Sequence, residues 1–262
     1  MRLVWTLRRF LLTALPKVAV SRLTGMLTHL PVPRALRPRV YGWFARRYGA
    51  ALDEMRGTLA EYPSLAEFFR RPLRPGARVV DAHARLVWPC DGRIVSAGPI
   101  QGDVVPQVKG IDYPISHLLV SGDLADRLRD GSQATIYLAP GDYHRVHAPC
   151  AGKLLRHWHV PGTLFPVNPP AVRSIPQLFP RNERMVYEVR TVDGRAVAVV
   201  MVAALNVGDI KVSRSAPGEL EKGEELGAFG FGSTVVVLAE KGGPVFPSLP
   251  PETVVRLGGP AG

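Results

Sequence analysis

Cysteine is nearly absent from this chain, with only Cys90 and Cys150 in 262 residues. No disulfide framework can be drawn from them, and a reducing compartment suits the chain better than a secreted setting. Long apolar runs are missing too. The longest, Ala196 to Leu205, is ten residues, well short of the roughly 20 that a membrane-spanning helix needs. Its length and valine content read as a buried central strand. The chain also lacks internal repeats, a glycine loop of the phosphate-cradling kind, and a third ligand spaced to complete a zinc site with the histidine pair His144 and His147. Acidic residues are absent from positions 1–52, which carry ten Lys/Arg.

That last absence explains the net charge of +11, because the remainder holds 23 basic against 22 acidic residues. Charge gathered in one segment asks for an anionic partner of that segment, a polyanion or a lipid surface. Its apolar residues favour lipid over nucleic acid. Leu3, Leu7, Phe10 or Leu11, Ala14 and Val18 recur at helical spacing, with Arg2, Arg8, Arg9 and Lys17 between them and Trp5 near the start. This suits a helix lying in a membrane interface. It does not suit a spanning helix, and Lys17 interrupts the apolar core that a signal peptide would need. Pro31 to Tyr48 alternates proline, arginine and aromatics, again an interfacial composition. A basic helical arm packed on its own domain or on a partner subunit is the competing reading. The division expected is an arm at 1–50 and a body at 51–262.

In the body, Leu52, Met55, Leu59, Leu65 and Phe68-Phe69 suggest one or two helices broken at Pro63, with Ser64 capping the second half and Glu67 three residues on. Beyond Gly76 the pattern turns to short strands between glycines and prolines: Arg85 to Trp88, Arg93 to Ala97, Asp103 to Val108, Ser132 to Leu138, Lys153 to Val160, Met185 to Thr191, Arg195 to Leu205, Asp209 to Ser213 and Thr234 to Leu238. Residues 116–129 read as a short helix. The fold class expected is α+β and β-rich, an antiparallel or mixed sheet body behind a helical N-terminal arm.

Three places carry candidate chemistry. Gly232-Ser233 opens the last strand, in Gly227-Ala228-Phe229-Gly230-Phe231-Gly232-Ser233-Thr234. A serine after glycine can turn its Oγ onto the preceding carbonyl, since glycine has no Cβ to block the approach. The amide becomes an ester. A base that removes the Ser233 Cα proton then eliminates the ester, frees the Gly232 carboxylate and leaves dehydroalanine, which hydrolyses to a pyruvoyl ketone. A plain turn is the alternative. His144 and His147 stand three apart between Pro140-Gly141 and Pro149, where a long helix does not fit, and a general base suits them better than a metal pair. Asp91, before Gly92, is a hairpin-turn residue or a carboxylate that orients a histidine.

Together these segments resemble the phosphatidylserine decarboxylase proenzymes. The resemblance lies in Leu65 to Gly76, Gln107-Val108-Lys109-Gly110, Tyr143 to Pro149, Gly162 to Pro169, Asn182-Glu183-Arg184, Asn206-Val207-Gly208, Lys222 to Gly227 and Phe231-Gly232-Ser233-Thr234. It implies a self-cleaved Gly232-Ser233 bond, a β chain of residues 1–232 and an α chain of 233–262 capped by pyruvoyl as the cofactor. It also implies Asp91, His147 and Ser233 as the maturation set and His144 at the decarboxylation step. The ketone would condense with the amine of phosphatidylserine, and the protonated imine would take up the electrons released with CO₂. Further implications are a heterodimer of α and β chains that dimerises again, an anionic membrane surface as partner, no nucleic acid, and a peripheral place on the cytoplasmic side of the inner membrane. Pro166, Cys90 and Phe229-Gly230-Phe231 depart from the family pattern, and Pro166 removes a serine hydrogen bond. Another amino acid or serine-headgroup lipid as substrate, a Ser-His-Asp hydrolase and a non-enzymatic binder are the alternatives; Ser233 does not lie in a Gly-x-Ser-x-Gly elbow.

Overall fold

The computed structural model describes residues 26–108, 110–204, 210–230 and 233–262. The expected interfacial helix at 3–18, Lys109, Asn206-Val207-Gly208 and Gly232 lie outside the described residues. Eight strands form one antiparallel sheet in the order β10-β6-β7-β8-β12-β4-β1-β13. In chain order these are β1 (Gly92–Pro99), β4 (Ser132–Leu138), β6 (Gly152–Val160), β7 (Arg184–Thr191), β8 (Ala196–Val202), β10 (Gly218–Leu220), β12 (Ser233–Ala239) and β13 (Val254–Val255). A second sheet runs β5-β11-β9, made of Arg145–His147, Glu225–Phe229 and Ile210–Val212, and β2 (Val104–Val108) pairs with β3 (Ile111–Pro114).

Every residue of β8 and β12 is buried, so both strands are covered on both faces, as their unbroken apolar character requires. Burial of Val235, Val236, Val237 and Leu238 contributes on the order of 6–12 kcal/mol at the usual worth of a buried aliphatic side chain. The consequence is mechanical. A C-terminal piece starting at Ser233 stays in the sheet between β4 and β8 without a covalent link to what precedes it.

Ahead of the sheet stands a small helical layer. Helix α1 (Arg37–Tyr48) has Pro38 in its first turn, Arg46 and Arg47 in its last, and Gly49 at φ 73° as its left-handed cap. Its Tyr41 and Phe44 pack with Met55, Tyr62, Phe68 and Phe69 in a second apolar cluster. Residues 37–48 of the expected arm are thus packed against the segment at 55–69. Helix α2 (Leu65–Phe69) is capped by Ser64, whose Oγ accepts the Glu67 N–H at 3.2 Å as the sequence predicts. Between these helices there is only one 3-10 turn, Leu59–Glu61.

The structure corrects other expectations. Residues 85–88 form no strand, only a bridge between Val87 and Pro260, because Val87 donates to Pro149 O and Trp88 to Gly259 O. The helix expected over 116–129 is two, α3 (Ile115–Leu119) and α4 (Gly122–Arg127), parted where Val120 turns left-handed at φ 53°. Asp91-Gly92 is no hairpin turn, since β1 starts at Gly92 and pairs with β4 and β13 rather than with a preceding strand.

Candidate active site

Two backbone contacts bring the scattered site segments together. His147 N–H donates to Pro89 O at 2.8 Å, laying β5 beside the link that carries Asp91, and Phe229 N–H donates to His144 O at 2.9 Å, laying His144 beside the end of β11. From Phe229 the chain enters β12, where Ser233 opposes Leu138 at the end of β4. Gly141 tightens the same loop: a Cβ there would stand 2.1 Å from Tyr48 O, so only glycine lets the end of α1 dock before His144.

The two histidines are in different states. His147 Nδ1 faces Gly223 O at 2.8 Å, and a carbonyl only accepts, so Nδ1 carries the hydrogen and Nε2 the lone pair. Gly223 presents that carbonyl from φ 84°, which glycine adopts without strain. Nε2 accepts the Tyr143 O–H at 3.1 Å. Burial pushes the His147 pKa down and the Tyr143 pKa up, which keeps the imidazole neutral and the phenol a donor. His144 Nδ1 likewise donates, to Asp142 O at 2.8 Å, but its Nε2 is buried and has no partner among the described residues. Phe69 covers this ring at 4.2 Å between centroids. Burial lowers the His144 pKa to about 3.

Ser233 Oγ is also fully buried and has no hydrogen-bond partner among the described residues, and the same holds for the neighbouring Thr234 Oγ1. Buried hydroxyls normally find partners, so two adjacent orphans make the head of this central strand a candidate site.

Asp91 is placed otherwise than expected. Its carboxylate takes the Arg78 guanidinium, with Nε at 3.0 Å and Nη2 at 2.5 Å, and the Leu257 N–H at 2.8 Å. Arg78 also reaches Glu54 at 2.7 Å, and Arg256 joins Glu54 at 3.3 Å. The His147 tautomer is therefore set by Gly223 and not by a hydrogen bond to Asp91, whose charge reaches the ring only through space. Tyr143 and Arg78 are the contributors that the sequence reading gave no role. Tyr143 stands inside a motif already singled out; nothing about Arg78 distinguishes it from other arginines.

Cys90 and Cys150 are core thiols. Burial raises both, Cys150 to about 12, which rules out a ready thiolate nucleophile. Among the described residues no cluster of His, Cys, Asp and Glu could hold a metal ion, and no helix is long and apolar enough to cross a membrane.

The profile of the family described as phosphatidylserine decarboxylase matches residues 65–262. This chain belongs to the phosphatidylserine decarboxylase family. A phosphatidylserine decarboxylase proenzyme from Anaeromyxobacter sp. (strain K) is 42% identical over 272 residues, covering 96% of each chain. Proenzymes of the same name from Myxococcus xanthus (strain DK1622) and Halorhodospira halophila (strain DSM 244 / SL1) are 40% and 45% identical, covering 95% and 87% of this chain and 95% and 83% of their own. Family membership makes the chain a decarboxylase and gives the orphaned Ser233 hydroxyl a chemical context. The family's loop at Phe165 to Asn168 is held by Asn182, which accepts the Phe165 N–H and donates to Phe165 O and Ala203 O, each at 2.9 Å. Pro166 costs that anchorage nothing, since no bond of Asn182 runs to it.

Proposed function

We propose that this chain is a zymogen that cuts itself between Gly232 and Ser233 and then decarboxylates phosphatidylserine to phosphatidylethanolamine and CO₂ at an anionic membrane surface. The observation that carries the reading is Ser233 itself: a buried, unpartnered hydroxyl at the first residue of a fully buried strand, in a chain of this family. Ser233 Oγ adds to the Gly232 carbonyl and the peptide nitrogen departs, giving an ester. Loss of the Ser233 Cα proton to a base expels the Gly232 carboxylate, and water converts the remaining dehydroalanine to pyruvoyl with release of ammonia. His147, neutral and with its lone pair on Nε2, supplies that base once Tyr143 yields its hydrogen bond, and the Asp91 charge favours the imidazolium that forms.

The residues present suit a pyruvoyl group. Position 233 is dry, and β12 holds the new N-terminus in place after the cut. The ketone supplies an electrophilic carbonyl for the substrate amine and an electron sink for the bond that releases CO₂. His144 then manages the proton at the substrate Cα: its Nε2 lone pair is engaged by no other group among the described residues, and the dry setting under Phe69 excludes competing water.

The membrane part of the proposal is supported by the outer face of α1 and the residues before it. Met26, Leu27, Leu30, Leu36, Val40 and Trp43 are all exposed beside Arg39, Arg46 and Arg47, a composition fitted to headgroups over acyl chains. The cytoplasmic face of the inner membrane and a dimer of processed pairs belong to the same proposal. The deciding experiment is the intact mass of the purified protein. Two chains, 1–232 and a blocked 233–262, are expected, whereas Ser233→Ala stays one chain of 28.6 kDa. Efficient cleavage of that variant would refute the reading, because alanine has no nucleophile.

A further inference from the structure

A cleft of about 330 Å³ opens where β1, β2, β3 and the loop around Val167 meet. Its wall includes Val95, Val108, Val167 and Tyr137, and its rim carries Arg93, Arg173 and Glu252. Both arginines are exposed, and among the described residues neither side chain makes a hydrogen bond or an ion pair. Even with Glu252 the rim keeps a net positive charge.

The β ladder fixes the position of this cleft relative to the backbone at Ser233-Thr234, on the face that carries the Thr234 side chain. Tyr137 is the cross-strand partner of Thr234, the residue next to Ser233, and Arg93 is the partner of Tyr137 on the other side. Arg93 therefore sits two strand spacings, roughly 10 Å, from Thr234 along the hydrogen-bonding direction, within reach of a long side chain and a small headgroup. The substrate has matching dimensions. Its phosphodiester is separated from the amine-bearing carbon by one methylene and one oxygen, so an amine bound at position 233 puts the phosphate near and the acyl chains just beyond it.

We propose that this cleft receives the phosphodiester and the first acyl carbons of the substrate lipid, with Arg93 and Arg173 as the pair that binds the phosphate. The assignment rests on the proposed function and adds to it the residues that select a phospholipid over a free amino acid. Guanidinium suits the task, since it gives a phosphate two parallel donors. The aliphatic wall would stay uncovered with inorganic phosphate alone, which commits the cleft to a lipid.

The test uses mature Arg93→Gln, Arg173→Gln and double variants with two substrates in neutral detergent micelles: dihexanoyl-phosphatidylserine, and O-hexylserine, which keeps the amine, carboxylate and apolar tail but has no phosphate. Neutral micelles remove any general attraction of the protein to anionic vesicles. We expect kcat/KM for the phospholipid to fall about 10-fold per arginine, the lower range for a charge-assisted bond in a solvated site, with Arg93→Lys restoring part of it and O-hexylserine turnover unchanged. Binding of dihexanoyl-phosphatidylserine to the uncut Ser233→Ala chain gives a readout without catalysis, and the same arginine substitutions should loosen it by a similar factor. A double variant that matures and decarboxylates the phospholipid at the parental rate overturns the assignment, and so does an equal loss for both substrates. A parent that never matures would instead defeat the proposed function, and the binding measurement would still judge the arginines.

Discussion

The buried imidazole of His144 makes a prediction that needs no catalysis. In the native chain its pKa is lowered to about 3, first by burial and then by the Arg71 charge, against an opposing hydrogen bond to Asp142 O. In the unfolded chain it titrates near 6.5, like any histidine. The folded value lies below the unfolded one, so between them the unfolded chain binds a proton that the native chain refuses, and stability falls as pH falls. From about pH 8 to about pH 5 the loss from this one residue is about 2 kcal/mol, at 1.36 kcal/mol per unit of difference in proton uptake. The result barely depends on the folded value as long as it stays well below 5. The assay is urea unfolding of Ser233→Ala, which remains one chain, with and without His144→Gln. At about pH 8 the glutamine should cost about 1 kcal/mol for the altered hydrogen bond; by about pH 5 the variant should have become the more stable of the two. His147 and Asp142 titrate in both proteins, so their contributions cancel in the comparison. Curves that stay parallel across this range would refute a neutral, dry His144 and with it the proton role given to Nε2.

The other predictions address maturation and the membrane. His147→Ala should slow self-cleavage by about 100- to 10,000-fold, as loss of a general base does, followed by the appearance of the 233–262 piece on a denaturing gel; an unchanged rate would reassign the base. Asp91→Ala should slow it too and also destabilise the fold by about 3 kcal/mol, because Arg78 keeps Glu54 as its one carboxylate and Leu257 N–H loses its acceptor. Removal of residues 1–25, which leaves α1 and its packing in place, should weaken sedimentation with anionic vesicles, as should Trp43→Ser, with part of the binding lost in high salt; variants that still sediment fully would refute the membrane role of the arm.

Strand periodicity was readable wherever an apolar run was long enough to need cover on both faces. Residues 132–138 and 234–238 lie in β4 and β12 with at most one residue of difference at each end. Of the strands missed, β3 and β13 are only four and two residues long, and the other three are of another kind. β5 is Arg145-Val146-His147, β10 is Gly218-Glu219-Leu220, and β11 contains Glu225, Gly227 and a bulge. None has the alternation that marks a half-buried strand, because their side chains serve a site or an edge, and only the partner strand makes them extended. The same holds for the helix expected over 116–129. Its apolar spacing is genuine, but Val120 adopts a left-handed turn that propensity opposes, and tertiary contacts override it.

The site divides along a similar line. The candidate residues were visible in short motifs, since a neutral base, a carboxylate and a serine after glycine are chemical requirements written locally. Which atom faces which was not visible, because the partners come from remote parts of the chain. Asp91 shows the reason. Its acceptors are filled by Arg78, 13 positions away, and by Leu257, 166 positions away. One of these lies before the proposed cut and the other after it, so a single carboxylate ties the two future chains together. On the proposed reading, the residue expected from sequence to partner histidine would also clamp the two chains that maturation produces. On that reading an aspartate with no hydrogen bond to His147 would still serve the processed protein: without it a C-terminal piece would keep β12 in the sheet, yet lose the anchor at Leu257 that fixes its far end against the body.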